Sequence, residues 1–80
     1  MKLYQVITIL RYFGDSSVSV WTNEFKTEAE ALNFIHEEVQ KKEYYSNVTI
    51  NEFSASAYDE DLNQEYDWEF NELNINIWSF

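Results

Sequence analysis

Residues 65–70 read Glu65-Tyr66-Asp67-Trp68-Glu69-Phe70, and whether this run is strand or helix decides the fold. Carboxylates and rings alternate strictly. An extended chain would send the three acids to one face and the three rings to the other, with same-face neighbours about 6.8 Å apart. A helical reading competes, because Leu62, Tyr66, Phe70 and Leu73 also share a helical stripe. Strand is preferred. Asn, Asp and aromatic residues are weak helix formers, and the ending Asn74-Ile75-Asn76-Ile77-Trp78 alternates cleanly. The extended run therefore covers residues 65–78, with its apolar parity switching at Asn71-Glu72.

Upstream, residues 59–64 are polar and read as a loop, and residues 47–58 read as one extended segment. Its apolar phase changes at Asn51-Glu52, from Val48 and Ile50 to Phe53, Ala55 and Ala57, as a β-bulge or a strand crossing between environments would produce. Two such switches in neighbouring strands are compatible with one paired kink. Further upstream, Thr27-Glu28-Ala29-Glu30 is a capping box, and Ala31, Leu32, Ile35 and Val39 follow at helical spacing. A helix over about 28–42 is expected, with Lys41 and Lys42 in its last turn, where cations suit the macrodipole. At the start, residues 3–13 are apolar on both faces, as in a central strand, and Val18 to Phe25 alternates again. Gly14-Asp15-Ser16-Ser17 joins the two runs as a hairpin turn.

The element order β-β-α-β-β predicts an α+β fold: a four-stranded antiparallel sheet with one helix packed on one face, in a single domain spanning residues 1–80. A chain this short buries only about 60–65% of its unfolded surface. Six Phe, six Tyr and three Trp, with no Pro and one Gly, supply core material enough for it to fold despite a mean hydropathy of −0.51. One helix leaves the second sheet face open, so a homodimer or a hydrophobic partner surface is expected to cover it.

Charge is distributed unevenly. Residues 1–42 carry five basic and six acidic side chains; residues 43–80 carry nine acidic and none basic, so −9 of the net −10 lies in the second half. Such a field repels nucleic acid and anionic lipid and attracts a basic surface, although acidity also serves plain solubility. No cysteine excludes disulfides, thiol catalysis and cysteine-ligated metals. No apolar run reaches the ~18–20 residues of a membrane span and no signal peptide is visible, so a cytoplasmic location is expected, the host's if the chain is phage-encoded.

Catalysis is not expected, and no cofactor is implied. His36, the single histidine, has no nucleophile at hydrogen-bonding distance in sequence terms, and no serine lies in a nucleophile elbow. Asp59-Glu60-Asp61-Leu62-Asn63 matches the first ligand positions of a calcium loop. Gln64 stands where glycine is needed, however, and Phe70 where the closing Glu belongs, so no metal site is assigned.

The acid-and-aromatic segment is the candidate site. Glu65, Asp67 and Glu69, extended by Asp59, Glu60, Asp61 and Glu72, would form a row of carboxylates resembling a phosphate ladder. Tyr44, Tyr45 and Trp68 would add aromatic contacts to a partner. The competing view is an edge strand whose solvated face is acidic, since edges often use charge against aggregation.

With these residues in view, the chain resembles, at the level of class, the small acidic proteins with which phages and mobile elements disarm host defence, anti-CRISPR proteins and DNA-mimic inhibitors among them. The likeness rests on size, one α+β domain, acidity, absence of cysteine and the segment Asp59–Glu72; no family motif is present. It implies a non-catalytic inhibitor whose partner is a basic nucleic-acid-binding protein of the host. A homo-oligomeric structural or adaptor module, with acidity serving only solubility, is the alternative.

Overall fold

The computed structural model describes residues 2–41 and 45–74. They form β1 (Lys2–Tyr12), β2 (Ser17–Phe25), α1 (Glu28–Gln40), β3 (Tyr45–Ile50), β4 (Ser54–Asp59) and β5 (Gln64–Asn74). All strand pairs are antiparallel, in the spatial order β2-β1-β5-β4-β3.

The sheet thus has five strands where the sequence reading has four. The segment 47–58 is not one bulged strand but a hairpin. At its corner the Asn51 N–H donates to the Ser54 carbonyl (2.8 Å), and the Asn51 amide donates to Ser54 Oγ (3.1 Å). The phase change at Asn51-Glu52 marks a reversal of the chain, which shifts side-chain parity as a bulge does. The irregularity in this pair lies earlier, between Ser46 and Thr49, where Asn47 takes a left-handed φ of 50°. Nor is there a kink at Asn71-Glu72. β5 pairs with β1 without a shift from Lys2↔Asn74 to Tyr12↔Gln64. The alternating end of the last run, residues 75–78, lies outside the described residues.

The strand order removes the edge-strand alternative. β5 lies between β1 and β4, in the middle of the sheet and not at an edge. Its strict alternation reflects a sheet with one face on the core and the other open, and is independent of the strand's place in the order.

The helix forms where its cap predicts. Thr27 Oγ1 accepts from the Glu30 N–H at 3.2 Å, satisfying one of the first-turn donors. It ends at Gln40, with Lys41 as its C-cap; Lys42 lies outside the described residues. Ala31, Ile35 and Val39 face down onto Val6, Ala55, Ala57 and Trp68, which together form the main buried cluster. Ala55 and Ala57 leave room for the helix above β4, while rings fill the flanks: Phe25 against Phe34 (5.2 Å) and Tyr4 against Phe70 (5.8 Å). At 13 residues the helix is about 20 Å long, against roughly 37 Å for the eleven-residue β1 and β5. It covers the middle of one face and leaves the other face bare.

Candidate functional site

The register defines the bare face. Paired residues share a side, so Arg11↔Glu65, Ile9↔Asp67 and Ile7↔Glu69 stand together on β1 and β5. Val18, Val20, Thr22 and Glu24 join them from β2, and Ser54, Ser56 and Tyr58 from β4. The face divides into an aliphatic strip (Ile7, Ile9, Val18, Val20) and, beside it, the carboxylate row of β5.

Glu65, Asp67 and Glu69 are brought together as the alternation predicts, at a repeat of about 6.8 Å. Behind them Tyr66 and Trp68 stack at 5.4 Å with 6° between their planes, and Phe70 packs on Phe53 at 5.3 Å. This aromatic backing fixes the strand that carries the acids. Arg11 crosses from β1 and donates to both Glu65 (2.9 Å to Oε1) and Asp67. The Asp67 hydrogen bond, above all, holds the guanidinium pKa above its ordinary value. Glu69 is exposed and has no ion pair among the described residues. Each carboxylate has about four lone-pair sites, so a shared guanidinium leaves Glu65 and Asp67 capable of further bonds. Four carboxylates (Glu24, Glu65, Asp67, Glu69) against Arg11 give the described face a net charge of −3.

The remaining residues of the expected row go elsewhere. Asp59 is fully buried on the helix side, where its Oδ1 accepts from the N–H groups of Asp61 (3.1 Å) and Leu62 (3.2 Å). It shapes the β4–β5 turn and offers nothing to a partner. Glu60 and Asp61 are exposed in that turn. Glu72 falls on the helix side of β5, opposite Tyr4, and pairs with Lys2 at 3.1 Å. The ladder is therefore three carboxylates long and does not extend from residue 59 to 72.

The expected aromatic contacts are corrected in the same way. Trp68 is 2% exposed and belongs to the core. Tyr45 is half-buried, with its ring against Tyr66 (5.5 Å) and Trp68 (6.4 Å). Tyr44 lies outside the described residues. The rings that do reach the acidic face are Phe13 and Tyr58, 6.2 Å apart, beside a hollow of about 230 Å³ that Ser56 and Glu65 also line. The parity of residues 3–13 already put Phe13 with Ile7 and Ile9. Nothing in the sequence set Tyr58 or Arg11 beside the row, because that depends on strand order.

His36 is exposed on the helix. Among the described residues no group of three or more His, Asp or Glu is placed to hold a metal ion, and no helix is long and apolar enough to cross a membrane. Comparison with protein-family models, with curated proteins and with solved structures gives no match to this chain.

Proposed function

We propose that this chain is a non-catalytic inhibitor of the anti-CRISPR or DNA-mimic kind, whose open sheet face binds a basic, nucleic-acid-binding surface of a host protein in the cytoplasm. The observation that carries the reading is the co-facial row Glu65, Asp67 and Glu69 on the central strand, backed by packed rings. Lysines and arginines arranged to track phosphates meet there carboxylates carried at a regular repeat by a packed strand, two of them already oriented by Arg11, and charge-assisted hydrogen bonds can form to each. The aliphatic strip beside the row adds apolar contact, and the net −10 steers a basic partner toward the chain. Arg11 opposes this attraction locally while holding the row in place.

Capture from host lysate tests the reading. Proteins retained at about 50 mM salt and released near 200 mM should be nucleic-acid-binding proteins, and duplex or single-stranded nucleic acid should displace them. Retention that ignores both salt and competing nucleic acid would refute it.

A further inference from the structure

The sheet has two edges, and they are not alike. β3 is six residues long and irregular, with a left-handed residue at Asn47, a form that resists strand addition. β2 is nine residues long, pairs with β1 without a shift and contains no Pro, Gly or Lys. Val18 and Val20 are 57% and 60% exposed on one side of it, and Trp21 is 42% exposed on the other. A regular edge that exposes Val18, Val20 and Trp21 is a template for another strand.

The geometry points to a second copy of this chain as the occupant, adding its own β2 antiparallel to form one ten-stranded sheet. Pairing all nine residues places the two-fold axis at Trp21, so that Trp21 faces the partner's Trp21, Val20 faces the partner's Thr22 and Val18 faces the partner's Glu24. Charge selects this arrangement. Glu24 is the only ionisable side chain on β2, and the pairing sets the two copies of it about 20 Å apart, well beyond the ~8 Å screening length. Docking through the open faces would instead oppose two surfaces of net −3. A basic partner finds no such complement on this nearly neutral edge. Cross-strand aromatic pairs are favourable, and Trp21 supplies one at the axis. The inference is independent of the acidic-face reading, and salt separates them: binding of a basic surface weakens with salt, whereas self-pairing of two chains of net −10 holds or strengthens.

Sedimentation equilibrium from about 1 μM to about 1 mM is the test. The mass should rise from 9.6 kDa toward twice that value. The association should not weaken with salt, and Trp21→Glu, which opposes two carboxylates at the axis, should weaken it at least about tenfold. Hydrogen exchange on the unaltered chain gives a second reading that does not depend on the variant folding: the alternate amides of Ser17–Phe25 that point away from β1 should gain protection with concentration while those of β3 do not. A monomer throughout, a dimer that salt dissociates, a folded Trp21→Glu variant that still dimerises, or protection appearing outside β2 would each overturn the proposal.

Discussion

Neutralising the row with Glu65→Gln, Asp67→Asn and Glu69→Gln keeps every side chain nearly isosteric and changes the described open face from net −3 to zero. Full reversal to lysine is a poorer test, because it would set three ammonium groups against Arg11, which now bonds Glu65 and Asp67. With amides in place the guanidinium keeps neutral acceptors, so folding should be little affected; exposed ion pairs contribute only about 0–1 kcal/mol. Binding is different. A hydrogen bond to a charged group at an interface is worth about 1.5 kcal/mol or more, and three of them give roughly 4.5 kcal/mol, or about a thousandfold in Kd. Allowing for non-additivity, the loss should be at least about a hundredfold. Titration of the captured target, repeated across salt concentrations, reads both affinity and slope. The slope of log K against log salt should flatten. A companion Arg11→Gln should act in the opposite sense, tightening binding while loosening the β1–β5 pairing. Affinity within threefold of the parent, on the order of 0.6 kcal/mol, with an unchanged salt slope would refute the reasoning.

Trp68→Ala should lose about 3–5 kcal/mol, comparable with the whole stability of a chain this size, and denaturant melts should show it largely unfolded at ambient temperature; a folded variant that merely lost partner binding would contradict its core placement. Thr27→Ala should cost about 1 kcal/mol and lower Tm by roughly 4–8 °C, since it removes the acceptor for the Glu30 N–H. Asp15 accepts from the Ser17 hydroxyl and N–H, which hold its pKa below the ordinary 3.8. A depressed carboxylate stabilises the fold above its unfolded pKa, and that contribution fades as pH falls through the folded value. Asp15→Asn should therefore reduce the acid sensitivity of the β1–β2 turn, seen as a smaller change in turn amide shifts below about pH 4.

Local chemistry alone was enough for much of this molecule. The Thr27 cap and the stripe of Ala31, Ile35 and Val39 specify the helix, because capping and 3.6-residue periodicity act within a few residues of the chain. The first hairpin and the faces of β5 follow from turn chemistry and the two-residue period in the same way. Periodicity says which side chains share a face but not which strand lies alongside. For that reason the corner at Asn51–Phe53 shows in the sequence only as a change of apolar phase, and nothing local places Trp68 and Asp59 in the interior.

Neighbours are decided by pairing across long separations, where burial of a whole face selects one order. The structure inserts β5 between β1 and β4, and by doing so joins Arg11 to Glu65 across 54 positions, turns Trp68 under the helix and leaves β2 at the rim. The alternation of residues 65–70 determined that three carboxylates would share one side. Only the tertiary arrangement determined that this side faces away from the helix, because the single amphipathic helix can shield one surface of the sheet and the rings of β5 have to be beneath it.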